Sequence, residues 1–182
     1  MSNDDLELRR RAFLKVAGGS AFMSLVAGTG FATLSGTAWS AHHLKALSDS
    51  EARTLLAMAR TLFPHDFLAD SFYGKVVTSV DEKAAASDDT KTQVTEGAAR
   101  LDRLARKNFD NRTFVELDEK ARTRILKTIE KSPFFSTMYG ETLGGLYGNP
   151  DIWKIFGFEG SSVEHGGYLE RGFDDISWLP KE

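Results

Sequence analysis

The sequence predicts an all-α protein, a compact bundle of about five helices followed by an irregular C-terminal segment. Three observations predict it. Apolar residues between Leu55 and Tyr147 recur at three- and four-residue spacings, the period of a helix. Capping residues and prolines fall at the ends of those runs. Beyond Ile152 the period is lost, and aromatic residues stand among glycines instead.

Each helix carries its own signals. Ser48-Asp49-Ser50-Glu51 is a capping box, with Ser48 as N-cap and Glu51 three residues on. The helix it opens holds Leu55, Leu56, Met58, Ala59 and Leu62, and Pro64 stops it. Phe72, Tyr73, Val76, Val77 and Val80 form one broad apolar face of a second helix. The polar stretch Asp81 to Lys91 is expected to be a fraying helix end and a loop. A third helix spans about Thr90 to Asn108, with Val94, Ala98, Leu101, Leu104 and Ala105 on one stripe, and Asp110-Asn111 breaks it.

Phe114 and Leu117 lead into a fourth helix from about Asp118, whose Ala121, Ile125, Leu126 and Ile129 repeat at helical spacing. Pro133 suits the first turn of a fifth. Phe134, Phe135, Met138, Tyr139, Leu143, Leu146 and Tyr147 form its apolar face, and Gly148-Asn149-Pro150 ends it. Gly140, Gly144 and Gly148 give that helix a smooth edge, expected to pack inside the domain. In the C-terminal segment, Trp153 and Phe156 are assigned to the core. Tyr168, Phe173 and Trp178 are candidate partner contacts, since Trp and Tyr are enriched among interface anchors.

The first 41 residues differ from the rest. Arg10-Arg11-Ala12-Phe13-Leu14-Lys15 precedes an uncharged run, Val16 to Ala41, diluted by Gly18, Gly19, Gly28, Gly30 and Gly36. Arg10, Arg11, Phe13, Leu14 and Lys15 resemble a twin-arginine export signal, an address read by the twin-arginine translocase, which carries folded proteins. One position departs from the pattern: Arg9 stands where Ser or Thr is usual. Thr37 to Ala41 offers small residues for cleavage, although Trp39 spoils a strict A-x-A. The run also exceeds the roughly 20 residues that span a bilayer. A removed signal and a retained membrane anchor therefore both fit, and the expected organisation is a signal segment, 1–41, ahead of one helical domain, 42–182.

Setting aside the four basic and three acidic residues of 1–41 leaves 19 basic against 23 acidic. That balance, without a basic stripe interleaved with aromatics, argues against nucleic acid as a partner. The chain has no cysteine, which excludes disulfides, thiolate-held iron–sulfur clusters, c-type haem attachment and a Cys nucleophile.

Chemistry by the chain itself finds little support. His42-His43 adjoin the expected cleavage point and read as solvated terminal residues, with weak metal binding as the other reading. His65, between Pro64 and Asp66 at a helix end, reads as a capping or dipole residue, with metal ligation as the other reading. His165 lies in the glycine-rich segment, either an ordinary loop residue or a partner contact. No H-E-x-x-H occurs, and no G-x-G-x-x-G follows a strand, so neither a metal nor a flavin is expected in this chain. Asp174-Asp175 are sequence neighbours that do not converge on one reacting atom. Glu116, Asp118 and Glu119 place negative charge at a helix N-terminus.

A family pattern runs through the same residues. Leu55-Leu56-Ala57-Met58-Ala59 through Leu62-Phe63-Pro64, then Phe114-Val115-Glu116-Leu117, Ile125-Leu126, Ile129-Glu130 and Ser132-Pro133-Phe134-Phe135 resemble the gluconate 2-dehydrogenase subunit 3 family. So do Thr142-Leu143-Gly144-Gly145-Leu146-Tyr147, Asn149-Pro150, Trp153, Gly157-Phe158-Glu159-Gly160 and Gly172 through Pro180. The resemblance implies a small, non-catalytic, exported subunit beside a large flavin dehydrogenase of the glucose-methanol-choline type. FAD would then sit in that partner, and a c-type haem in a third, cytochrome subunit. A periplasmic location, at the membrane through the complex or an uncleaved signal, follows from the same reading. The alternative is a free-standing periplasmic helical enzyme or binding protein.

Overall fold

The computed structural model describes residues 44–163 and 166–169. Among them there are six α-helices, one 3-10 turn and no strand. In order they are α1 (Asp49–Leu62), α2 (Asp70–Ala86), α3 (Asp88–Asn108), the 3-10 turn Phe114–Glu116, α4 (Glu119–Ile129), α5 (Pro133–Tyr147) and α6 (Pro150–Phe156).

The expected capping box opens α1. Ser48 Oγ accepts from the Glu51 amide, and the Glu51 carboxylate accepts from the Ser48 amide at 2.8 Å. Thr54 through Ala59 are buried without a break, so the middle of α1 has no solvent face, while Asp49, Ser50 and Arg53 near its start stay exposed. A helical stretch buried on every side belongs in the centre of a bundle. Accordingly α1 touches α2, α3, α4, α5 and the 3-10 turn. Thr54 satisfies its hydroxyl on the Ser50 carbonyl at 3.1 Å, so this polar residue costs the core little.

The predicted loop between Asp81 and Lys91 is helical instead. Helix α2 runs on to Ala86, Ser87 alone is extended, and α3 begins at Asp88 with the Ser87 hydroxyl accepting from Thr90. Alanines favour helix, and Asp81 is not the solvated residue its polarity implied. Its carboxylate is buried and accepts from the backbone amides of Lys45, Ala46 and Leu47 at 2.7, 2.9 and 2.9 Å. Asp110 and Asn111 do break α3, with φ of 47° and 59°, a left-handed region that Asp and Asn tolerate better than most residues.

With Asp118 as the N-cap of α4, Phe114 and Leu117 lead into that helix as expected, by way of the 3-10 turn. Arg122 of α4 ties it down, donating to the Phe114 and Val115 carbonyls at 3.1 and 2.6 Å. Burial lowers the Arg122 pKa, and the charges of Asp118 and Glu119 act against that. Helix α5 starts with Pro133 in its first turn, capped by Ser132. It approaches α3 where Gly97 leaves room for the Phe134 ring, and α2 where Gly145 leaves room for Val76. A Cβ on those glycines would lie 2.2 and 2.8 Å from those side chains.

Gly148-Asn149-Pro150 ends α5 as expected, but the segment that follows is not irregular from its start. Asn149 caps a further short helix, α6, with Pro150 in its first turn. Its buried residue is Ile152, whereas Trp153 is half-buried and Phe156 exposed, contrary to the core assignment of both. Among the described residues no helix is long and apolar enough to cross a membrane. The 1–41 boundary lies outside the described residues.

Candidate functional site

The apolar face expected on α5 divides in two. Phe134, Met138 and Leu146 enter the core, while Tyr139, Leu143 and Tyr147 stay exposed. The loop between α1 and α2 and the end of α6 extend this uncovered half, adding Phe63, His65, Phe67 and Phe156. The result is a continuous set of rings on the surface.

The loop is held from below. Arg60, in the last turn of α1, donates through Nε to Asp70 at 2.5 Å and through its terminal nitrogens to the His65 and Leu68 carbonyls at 3.4 and 2.8 Å. Its guanidinium sits over the Tyr73 ring, 4.5 Å from the centroid. The Tyr73 hydroxyl donates to the Phe63 carbonyl at 2.5 Å and accepts from the His65 amide at 3.2 Å. Burial raises the Tyr73 pKa, while the His65 amide bond and the Arg60 charge pull it down. Leu68 is buried and anchors the loop, so Phe67 beside it points outward, 59% exposed.

His65 is the centre of the rings. Its Nε2 lies 2.7 Å from the Tyr147 hydroxyl, and its ring meets Tyr147 and Phe156 edge-on at 5.8 and 5.1 Å. Phe67 packs edge-on against Phe156 at 5.3 Å, and Phe63 bridges Tyr139 and Tyr147 at 5.2 and 5.7 Å. These are favourable edge-to-face and tilted arrangements. Trp153 Nε1 donates to the Tyr147 carbonyl at 2.5 Å, joining α6 to the end of α5. His65 follows the end of α1, and its ring is engaged with α5 and α6.

Beside this face, α2 and α5 enclose an open groove of about 370 Å³ lined by Lys75, Ser79, Lys83, Gly140, Glu141 and Gly144. Lys83 bridges it, donating to both Glu141 oxygens at 2.6 and 2.7 Å. Gly140 and Gly144 were expected to pack internally. Among the described residues nothing stands within 4 Å of a Cβ built at either, and it is Gly145 that makes the close approach.

Among the described residues no group of three His, Asp or Glu side chains could hold a metal ion. Of the sequence-derived candidates, Tyr168 lies in the turn after Gly167 and is 60% exposed. His165, Phe173 and Trp178 lie outside the described residues, as do His42, His43, Arg10, Arg11, Phe13, Leu14 and Lys15. Sequence reasoning missed Phe67, Tyr139, Tyr147 and Phe156 as a surface. The available signal was Phe63-Pro64-His65-Asp66-Phe67, a ring-rich segment at a proline stop, where side chains leave the helical period.

Fold and surface define an all-helical module whose most developed feature is a ring-lined face. The sequence profile of gluconate 2-dehydrogenase subunit 3 matches residues 49–160, from the first residue of α1 to just past α6, and the chain belongs to that family. Comparison with curated proteins and with solved structures yields no match. Family membership implies a subunit of a dehydrogenase complex.

Proposed function

We propose that this chain is the accessory small subunit of a periplasmic, FAD-dependent dehydrogenase of the glucose-methanol-choline type, acting on a sugar or alcohol. It binds and stabilises the flavoprotein subunit and carries it through the twin-arginine pathway on the signal around Arg10 and Arg11. The partner holds the FAD, and a cytochrome subunit with c-type haem completes the electron path. The observation that carries the reading is the exposed ring surface of Phe67, Tyr139, Tyr147 and Phe156 on a family-matched body. Large apolar rings set on a fixed backbone are the usual anchors of protein interfaces. Tyr168 is a further candidate contact, as are His165, Phe173 and Trp178, which lie outside the described residues.

Co-expression with a flavin dehydrogenase encoded beside it tests the reading. The two chains are expected to copurify, and Arg10→Lys with Arg11→Lys is expected to leave the flavoprotein in the cytoplasm. A flavoprotein that reaches the periplasm unchanged with the double variant would refute the export role, and failure to copurify would refute the subunit role.

A further inference from the structure

Asp81 is a buried carboxylate that the ring face does not use. It lies near the end of α2, yet its three hydrogen bonds all go to the chain just before α1. The segment from Leu44 to Leu47 belongs to no helix, so its amides have no helical carbonyl to bond. Leu47 is buried in the core and Leu44 packs against it, so the segment is pinned on its apolar side as well. It also lies outside the stretch that the family profile matches, which begins at Asp49.

Lys45 makes the consequence specific. Its side chain is exposed and pairs with Glu82 at 3.2 Å across the surface. Its backbone is not free: the Lys45 amide and the Ala46 amide, whose nitrogen is that of the Lys45–Ala46 bond itself, are both held by Asp81. A peptidase binds its substrate as an extended strand and needs those backbone groups for its own hydrogen bonds. The recognition side chain is thus offered while the bond beside it is withheld.

We propose that Asp81 sets the processing boundary of this chain. Once α2 has formed, its carboxylate closes residues 44–47 onto the bundle, and trimming from the N-terminal side stops before the Lys45–Ala46 bond. The clamp exists only in the folded state, because its acceptor and its donors lie more than thirty residues apart in the chain. Its use, as a stop for removal of the export signal from a folded protein, rests on the export reading above; the clamp itself does not.

Limited trypsin digestion of the folded full-length chain, followed by intact mass, tests it. Wild type is expected to resist cutting at Lys45, while Asp81→Asn is cut there on the order of tenfold faster or more, since cutting follows the population of the open segment. Cuts at Lys120 and Lys127 in α4 report global opening and are expected to be unchanged. Glu82→Gln, which removes only the exposed Lys45 pair, is expected to stay within about twofold of wild type. Wild type cut at Lys45 as fast as Asp81→Asn would overturn the proposal. So would equal acceleration at all three lysines, or Glu82→Gln matching Asp81→Asn. Circular dichroism on each variant identifies any that fails to fold; Asp81→Ser then repeats the comparison. None of these readouts depends on a partner or on export, so the clamp and the export reading fail separately.

Discussion

Removing one oxygen from Tyr73 tests whether the ring face stands on a fixed loop. Tyr73 is fully buried, and its hydroxyl joins the Phe63 carbonyl and the His65 amide, the two ends of the turn that lifts His65 into the face. Tyr73→Phe keeps the ring under Arg60 and removes both bonds. Each is worth about 1 kcal/mol net, and a carbonyl left dry costs more, so the expected loss is about 1–3 kcal/mol. With a urea dependence of about 2 kcal/mol per molar, the unfolding midpoint falls by roughly 0.5–1.5 M with an unchanged slope. Hydrogen exchange at the His65 amide should accelerate in step. The Tyr73 pKa is raised by burial, so its contribution to stability is fully present below about pH 10 and is lost as pH rises through the raised value. Tyr73→Phe should therefore lack that share of the alkaline loss. A midpoint unchanged within about 0.2 M, with His65 exchange unaltered, would refute the argument that this hydroxyl holds the loop.

Three further substitutions separate packing from surface. Gly97→Ala gains about 1 kcal/mol of helix propensity but drives a methyl into the Phe134 ring, so a net loss of about 1–3 kcal/mol is expected in thermal unfolding. Gly144→Ala meets no described neighbour, so the same assay should show a gain of about 0.5–1 kcal/mol; a loss would reveal a close contact on that edge. Phe67→Ser with Phe156→Ser removes the ring contacts of Phe156 with Phe67 and His65, so a loss of about 1–3 kcal/mol is expected in thermal unfolding, with the chain still folded at assay temperature and flavoprotein copurification weakened at least tenfold; unaltered copurification would remove this face from the interface.

The bundle was legible because its signals are local. Ser48-Asp49-Ser50-Glu51, Asp118 and Ser132-Pro133 mark helix starts by chemistry that acts within one turn, and the structure uses all three. What was missed or misread depended on partners distant in sequence. Asp81 reads as a solvated residue until the 44–47 backbone folds onto it. Nothing local shows where the His65 ring goes until Tyr147, far along the chain, comes within 2.7 Å. The α5 stripe correctly gave the apolar residues but could not say that only half of it is covered, because periodicity records hydrophobicity and not which neighbour arrives. Gly148-Asn149-Pro150 ends α5 as expected, and α6 was missed for a different reason: Asn-Pro opens a helix as well as ending one, and seven residues are too few to show a period.

The ties beneath the ring face argue for its being a binding surface rather than an incomplete core. A loop whose only task is to connect α1 to α2 needs no more than Leu68 to seal it, yet Arg60 and Tyr73 together place five polar contacts on residues 63–70. Those contacts fix the backbone under Phe63, His65 and Phe67 while leaving Phe67 exposed. A partner that covers such rings gains their apolar area without ordering the loop first, and that ordering cost is what separates weak interfaces of a given size from tight ones. If the rings were only leftover core, loosening the loop with Tyr73→Phe would let them collapse inward and would leave partner affinity untouched. A face built for docking predicts the opposite: Tyr73→Phe weakens copurification although Tyr73 itself, fully buried, can touch no partner.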